Sequence, residues 1–141
     1  AMIHKAILGS IERFLSVYIE HTGGRFPIWL APEQLRIIQV KDATEIDNFV
    51  DEIATLAREN NVRVQIDRSN ESVGKKIRNS ELMKVPYTIV IGEKEVETKD
   101  ITPRVRADLA ADNREEKTYP LDSFISSITD EIRGRVQKSS L

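Results

Sequence analysis

The spacing of apolar residues along the chain predicts four helices. An amphipathic helix places its apolar residues three or four positions apart, so that they share one face. This pattern occurs in Ile3–Glu20, Thr44–Asn60, Ser72–Lys84 and Leu121–Val136. The second helix is the clearest, because acidic residues crowd the face opposite its apolar one and Thr44 is placed to cap its first turn. Gly23 and Gly24 end the first helix, since glycine accepts the left-handed conformation of a C-cap.

Strands are predicted between these helices and after the third one. Continuous or alternating apolar positions occur in Leu35–Val40, Val62–Asp67 and Tyr87–Ile91. Gly92-Glu93-Lys94 has the composition of a hairpin turn into a strand at Glu95–Thr98, and Ile101–Leu109 is a further predicted strand. Strands that alternate with helices and then form a hairpin predict an α/β fold. We expect a mixed, roughly five-stranded sheet flanked by three helices and preceded by one helix.

Composition and charge narrow the classes of function. The chain has 141 residues, the size of one domain, and contains no cysteine, which excludes disulfides and thiolate zinc sites. Its charge-free apolar stretches are far shorter than the ~20 residues that span a bilayer, so we expect no membrane association and a cytoplasmic location. The net charge is −2, but residues 61–106 carry 10 basic and 7 acidic side chains. This block could hold a few phosphates but could not coat a duplex.

The most specific motif lies at the start of the chain. Residues 2–14 read M-I-H-K-A-I-L-G-S-I-E-R-F. Gly9-x-x-Glu12-Arg13 alone is a weak pattern that also fits an ordinary surface helix. The whole string closely resembles motif 3 of class II aminoacyl-tRNA synthetases in its threonyl form. The resemblance continues in G-G-R-F-P-I-W-L-A-P (23–32), V-G-K-K-I-R (73–78), K-V-P-Y (84–87) and G-E-K-E-V-E (92–97).

This resemblance to threonyl-tRNA synthetases implies two domains. Residues 1–25 would be the end of a catalytic domain, and residues 26–141 the anticodon-binding domain. The parent enzyme would be a ligase that activates threonine with ATP, attaches it to threonine tRNA, and dimerises through its catalytic domain. This chain would bind the anticodon loop of that tRNA and would not be catalytic alone.

The resemblance assigns residues of the first segment to the active site of the parent. Arg13 matches an arginine that contacts ATP, as a guanidinium can by forked hydrogen bonds to phosphate. Gly9 and Ser10 match small residues near the adenylate. His4 matches one of three protein ligands of a zinc ion. One imidazole cannot form that site, and the other two ligands would lie upstream, so we expect neither zinc nor catalysis from this chain alone.

The resemblance also assigns five anticodon-binding residues. Glu95 matches the glutamate that reads the middle anticodon guanine, whose N1–H and N2–H a carboxylate can accept. Lys94 matches a lysine that contacts the loop. Asn70, Arg78 and Arg104 complete the set, with donor-rich groups suited to uracil edges and phosphates.

Alternatives remain at this stage. A Lys-Glu pair at a hairpin tip is usually a solvated surface, and Lys75 and Lys76 could contact RNA phosphates or only solvent. Anticodon-like domains also serve as accessory binding modules that read no anticodon. A prolyl, histidyl or glycyl synthetase domain is opposed by the string at residues 2–14. Family members have a short glycine-bearing turn where Ala107–Pro120 contains no glycine, and the role of this acidic loop has no explanation.

Overall fold

A computed structural model describes residues 1–3, 5, 7, 9–110 and 117–141. Within these ranges the helices are α1 (Ile11–Thr22), α2 (Thr44–Glu59), α3 (Val73–Leu82), α4 (Glu93–Thr98) and α5 (Leu121–Gly134). The strands are β1 (Leu35–Gln39), β2 (Val64–Asp67), β3 (Tyr87–Ile91), β4 (Asp100–Ile101), β5 (Arg104–Val105) and β6 (Tyr119–Pro120). Of the predicted Ala107–Pro120 loop, residues 107–110 and 117–120 are described, the last two as strand β6, and residues 111–116 lie outside the described ranges.

The main sheet is mixed, as predicted, but it has four strands instead of about five, in the order β2-β1-β3-β5. Strands β2, β1 and β3 are parallel, and β5 runs antiparallel to β3. Strands β4 and β6 form a separate antiparallel pair instead of extending the main sheet. Parallel neighbours need crossover connections, which α2 and α3 provide.

The hydrophobic core lies between the sheet and helices α2 and α5. The inner face of α2 is buried, and β1 and β3 contribute fully buried aliphatic residues such as Ile37 and Ile89. The Tyr87 ring packs edge-on against Phe124 of α5, with ring centroids 6.1 Å apart. Burial of an aliphatic or aromatic side chain contributes about 1.5–3 kcal/mol, so this layer supplies most of the stabilisation.

The predicted hairpin at residues 92–98 is wrong, because this segment is helix α4. Gly92 is its N-cap in an extended conformation, and Glu95 at the third helical position accepts a hydrogen bond from the Gly92 N–H at 2.9 Å. This side-chain contact satisfies one of the backbone donors that a helix start leaves unpaired. Glu93 and Glu95 in the first turn also suit the positive end of the helix dipole.

Three other boundaries differ from the sequence prediction. The predicted strand Ile101–Leu109 is two strands in different sheets, interrupted at Pro103, which has no N–H to donate to a ladder. Thr44 is the first residue of α2, and Ala43, which offers no capping side chain, precedes it. Helix α1 begins only after Gly9, whose φ of +64° is left-handed and does not continue a helix.

The C-terminal tail returns to the core after α5. Glu131 is only 4% exposed, and its carboxylate accepts hydrogen bonds from the Tyr87 hydroxyl and from the Ser140 N–H and hydroxyl. The Ser139 N–H donates to the Leu109 carbonyl at 2.9 Å. These bonds tie residues 139–141 to β3 and to the segment after β5.

Candidate nucleic-acid interface

The carboxyl ends of the parallel strands bring together three of the predicted anticodon-binding residues. Asn70 lies in the loop that follows β2, and Lys94 and Glu95 lie in the first turn of α4, directly after β3. Asn70 and Lys94 are exposed, and Glu95 is half-buried. Ligands of open α/β sheets bind at this carboxyl edge, where loops from neighbouring strands meet.

A buried lysine fixes the geometry of this edge. Lys76 of α3 is only 4% exposed, and its ammonium donates hydrogen bonds to the carbonyl of Gln39 at 2.9 Å and to that of Asp67 at 3.4 Å. It thereby joins the last residues of β1 and β2. The expectation that Lys76 contacts RNA or solvent is wrong, since its partners are strand-end carbonyls. Lys75 is exposed and forms an ion pair with Glu71 at 2.6 Å.

The buried amide of Gln39 extends this network towards Asn70. Its nitrogen donates to the Asp47 carboxylate at 2.6 Å and to the Lys41 carbonyl at 3.0 Å. Its oxygen accepts from the Arg68 guanidinium, which also donates to Asp51 at 2.7 Å. The residues that lead into the Asn70 loop are thus tied to α2 and to β1.

Asp67 gives this loop its local shape. Its carboxylate accepts hydrogen bonds from the Ser69 N–H at 3.0 Å and hydroxyl at 2.6 Å, which forms an Asx-type turn. Partial burial acts to raise the pKa of the Asp67 carboxyl, but the Ser69 hydrogen bonds and the Lys76 ammonium outweigh burial and lower this pKa. Asn70 therefore follows a turn that is ordered by an ionised carboxylate.

Replacing Lys76 with methionine is expected to lower the free energy of unfolding by about 1–3 kcal/mol. The change keeps the aliphatic stem but leaves the Gln39 and Asp67 carbonyls without a donor. Lys75→Met is the matched control, because an exposed ion pair contributes at most about 1 kcal/mol. Urea unfolding of both variants measures the difference, and equal stabilities would show that the Lys76 hydrogen bonds contribute nothing.

The Glu95 carboxylate is positioned by its own helix. One oxygen accepts from the Gly92 N–H, and the carboxylate makes no other hydrogen bond to the residues that the structure describes. The neighbouring Glu93 forms an ion pair with Lys41, and the hydrogen bond from Lys41 lowers the pKa of the Glu93 carboxyl. Lys41 follows β1, so this ion pair connects the start of α4 with the middle of the carboxyl edge.

Arg104 and Arg78 lie away from this edge, on the side of the sheet that α3 covers. Arg104 pairs with Thr88, whose hydroxyl contacts that of Ser80 in α3. Residues directly opposite in neighbouring strands share a face of the sheet, so Arg104 lies on the α3 face. Arg78 is an exposed residue of α3. The five predicted residues therefore surround one end and one face of the sheet.

The predicted ATP-side residues gather at the start of α1. Ser10 is the N-cap, its hydroxyl lies 3.5 Å from the Arg13 N–H and donates to Glu12 at 2.6 Å, and Gly9 precedes it. The Ser10 hydrogen bond lowers the pKa of the Glu12 carboxyl. Arg13 is exposed. His4 lies outside the described residues, and within the described ranges no group of three His, Cys, Asp or Glu side chains could hold a metal ion.

Comparison with known proteins decides the family. The family model described as "Anticodon binding domain" matches residues 34–131. The chain belongs to this family. The match begins just before β1 and ends within α5, so it contains the four-stranded sheet and all five candidate anticodon-binding residues of this anticodon-binding domain.

Sequence relatives confirm the resemblance to threonyl-tRNA synthetases. This chain is 41% identical over 140 residues to the threonine–tRNA ligase of Bdellovibrio bacteriovorus, and the alignment covers 99% of this chain and 20% of the relative. It is 40% identical over 137 residues to the threonine–tRNA ligase of Clostridium kluyveri, and this alignment covers 96% of this chain and 20% of the relative. The chain thus spans about a fifth of the length of these ligases.

Solved structures give the same fold. The RNA binding domain of threonyl-tRNA synthetase from Cryptosporidium parvum has a TM-score of 0.75 and 32% identity, with 89% of this chain and 30% of that chain covered. A prolyl-tRNA synthetase of the same organism has a TM-score of 0.65 and 27% identity, and the alignment covers 77% of this chain and 23% of that chain. Separately, none of the helices in the described parts of this anticodon-binding domain is long and apolar enough to cross a membrane.

Sequence reasoning missed the residues that hold the interface in shape. Lys76 and Gln39 are polar, yet both are almost fully buried at the carboxyl edge. A signal existed for Gln39, which ends the apolar run of β1 where a buried amide requires partners. Lys76 carried no local signal, because its partners lie 37 and 9 residues away in the chain.

Proposed function

We propose that this chain reads the anticodon of threonine tRNA as part of a longer threonine–tRNA ligase. The observation that carries the proposal is the position of Asn70, Lys94 and Glu95 at the carboxyl edge of an anticodon-binding domain sheet. The identity of about 40% to threonine–tRNA ligases supports the choice of amino acid. The ligase would activate threonine with ATP, transfer it to the tRNA, and work in the cytoplasm as a homodimer formed through its catalytic domain.

In this proposal, base edges are read by hydrogen bonds from a rigid frame. Unpaired bases of a loop expose their Watson–Crick edges, which paired bases do not. The free Glu95 oxygen accepts from the middle guanine, while the Gly92 N–H holds the other oxygen. Adenine presents an acceptor at the same place, so the carboxylate repels it. Asn70 and Arg104 donate to the neighbouring base or to phosphate, with Lys94 and Arg78 as further cations.

Helix α1 supports the proposed division into residues 1–25 and 26–141. No residue of α1 is buried, and Ile11 and Val17 are 65% and 60% exposed although both are apolar. A stack of Phe14, Tyr18 and Phe26, with centroids 5.9 and 5.6 Å apart, joins α1 to the body. An exposed amphipathic helix of this kind fits packing against the rest of a catalytic domain.

The proposal assigns the start of α1 to the ATP side of the parent active site. Arg13 would contact the nucleotide, and Gly9 and Ser10 would leave room for the adenylate. The described residues do not by themselves fit a zinc ion, since they include no group of three metal-binding side chains. His4 would contribute one ligand to zinc only together with residues of the full-length enzyme, and anticodon binding by this domain would not require zinc.

A change of the third anticodon base tests the threonyl assignment. A threonine anticodon ends in uracil after its middle guanine, and replacement of that uracil by guanine creates a proline anticodon. We expect the domain to bind the threonine stem-loop about tenfold or more tightly than the altered one, because each good base contact contributes ~1–3 kcal/mol. Fluorescence titration at one salt concentration measures the ratio, and tighter binding of the altered loop would favour a prolyl enzyme.

Replacing Arg13 with alanine is expected to leave the affinity for the anticodon stem-loop unchanged. Arg13 is exposed on α1, outside the residues 34–131 that match the anticodon binding domain. The same titration, with Arg104→Ala as the positive control, measures this. A loss of affinity comparable to that of Arg104→Ala would show that α1 contacts the RNA and would contradict the proposed division.

A further inference from the structure

A second feature of the α3 face is an open cleft of about 840 Å³ between α3 and the segment that carries β5. Five of its lining residues are basic and two are acidic. Arg106 lines the cleft, and its guanidinium donates hydrogen bonds to Asp108 at 2.6 Å, to the Lys84 carbonyl at 2.6 Å and to the Phe26 carbonyl at 2.7 Å. The cleft therefore includes a half-buried arginine that is held by an ion pair and by two backbone carbonyls, and four further basic residues line it.

Lys84 is the unusual residue of this cleft. Its φ is +58°, the left-handed conformation that glycine normally supplies where a helix ends. The Lys84 N–H donates to the Glu81 carbonyl, and the Lys84 carbonyl accepts from Arg106, so the backbone is held in this conformation from both sides. Among the described residues its ammonium has no ion-pair partner. Among the described residues, Asn61, Lys99 and Arg135 share this conformation, and Lys84 is the one that lines the cleft.

We propose that this cleft binds a backbone phosphate of the tRNA anticodon stem, with the Lys84 ammonium as the principal contact. The inference rests on the proposed function, because it takes the RNA read by Asn70 and Glu95 as the ligand. An ammonium is a compact point charge that suits phosphate, and Arg25 and Lys117 line the same cleft. The two acidic groups leave the lining with an excess of positive charge.

The position of the cleft relative to the carboxyl edge suits a hairpin RNA. Lys84 precedes β3, whereas Glu95 follows it, so the two lie at opposite ends of a five-residue strand about 17 Å long. Arg104 lines the cleft and lies on the same face of the sheet. An RNA whose loop is read at the carboxyl edge and whose stem follows the α3 face places stem phosphates over the cleft.

Substitution of Lys84 by glycine removes the ammonium charge but preserves the backbone conformation. Glycine adopts positive φ without strain, so the melting temperature of K84G is expected to be no lower than that of the wild-type chain. K84N is a second variant, since asparagine also tolerates this conformation. Lys99→Gly is the matched control. Lys99 also has a left-handed conformation, with φ +57°, but its ammonium lies 3.4 Å from Glu52 and 5.2 Å from the Phe49 ring centroid, on the α2 side of the sheet.

The measurement is the affinity for a threonine anticodon stem-loop at several salt concentrations. K84G and K84N should weaken binding about three- to tenfold at 0.1 M salt, equally for loops with guanine or adenine in the middle position. The slope of log Kd against log salt should fall by about 0.7–0.9, the value of one phosphate contact. K99G should bind as the wild-type chain does. Neutral methylphosphonates in the stem should weaken wild-type binding and leave K84G unaffected.

The outcomes distinguish this inference from the proposed function. If the wild-type chain prefers guanine but K84G and K84N keep its affinity and salt slope, the phosphate site is refuted and anticodon reading stands. If the wild-type chain binds no stem-loop, both are refuted. If K84G loses affinity only for the guanine loop, Lys84 acts through base recognition, and the assignment to a stem phosphate is wrong.

Discussion

Glu95→Gln is expected to abolish the proposed preference of this domain for guanine in the middle of the anticodon loop. Glutamine keeps an oxygen that can accept from the Gly92 N–H, so the start of α4 is preserved. Its amide places a donor where guanine also presents donors, and the negative charge is lost. A bidentate base contact contributes ~1–3 kcal/mol of discrimination, so the guanine-to-adenine affinity ratio should fall by about 10- to 100-fold.

Glu97→Gln is the matched control for this substitution. It is an exposed glutamate of the same helix, and it makes no hydrogen bond within the described part of the chain. Titration of both variants with guanine and adenine loops gives the two ratios, and circular dichroism checks the fold. An unchanged ratio in Glu95→Gln would mean that the carboxylate only caps α4. An equal loss of the guanine-to-adenine affinity ratio in Glu97→Gln would mean that the net negative charge of α4, and not a contact of Glu95 with the base, sets the preference.

Tyr87→Phe is expected to lower the free energy of unfolding by about 1–3 kcal/mol at neutral pH. Tyr87 is fully buried in β3, and its hydroxyl donates to the Glu131 carboxylate at 2.5 Å. Phenylalanine keeps the ring packed on Phe124 but leaves Glu131, itself buried, without this donor. The effect should appear as a lower urea midpoint with an unchanged m-value.

The same residue should make stability depend on pH at the alkaline end. Burial, and then the hydrogen bond to Glu131, raise the pKa of the Tyr87 hydroxyl above its ordinary value of about 10. The unfolded chain therefore loses this proton before the folded one does. The contribution of Tyr87 is complete below about pH 10 and decreases above it by about 1.4 kcal/mol per pH unit.

A comparison of wild type and Tyr87→Phe isolates this contribution from other groups that titrate at high pH. Unfolding free energies measured at intervals between pH 8 and 11 should converge, because only the wild-type chain loses the Tyr87 contribution. Parallel curves would show that the hydroxyl titrates alike in both states and would contradict its burial against Glu131.

Much of the fold follows from periodicity. Strands β1 and β3 and helix α2 lie within one or two residues of their predicted bounds, because each has a long or uniformly apolar pattern. The sequence does not distinguish a strand from a helix at residues 93–98, because six residues are too few to separate a period of 2 from one of 3.6. The interaction that starts the helix is the hydrogen bond from the Gly92 N–H to the Glu95 carboxylate. The same residues, Gly92-Glu93-Lys94, are also typical of a hairpin turn, so composition does not reveal this helix cap.

In the candidate site, too, some residues can be placed from the sequence and others cannot. Once the strands are parallel, the residues after β2 and β3 must meet at one edge, so Asn70 and Glu95 could be placed together from the sequence. The buried Lys76 could not, since the carbonyls it binds belong to two different strands. The left-handed backbone conformation of Lys84 could not be predicted either, because a lysine at a helix end does not indicate a positive φ.

The central claim is that this domain reads the middle base of the anticodon. The most direct test is the dissociation constant for a threonine anticodon stem-loop and for the same loop with adenine in place of the middle guanine, at one stated salt concentration. We expect the guanine loop to bind at least tenfold more tightly. Equal, weak and salt-sensitive binding of both loops would contradict it and would leave a basic surface without base recognition.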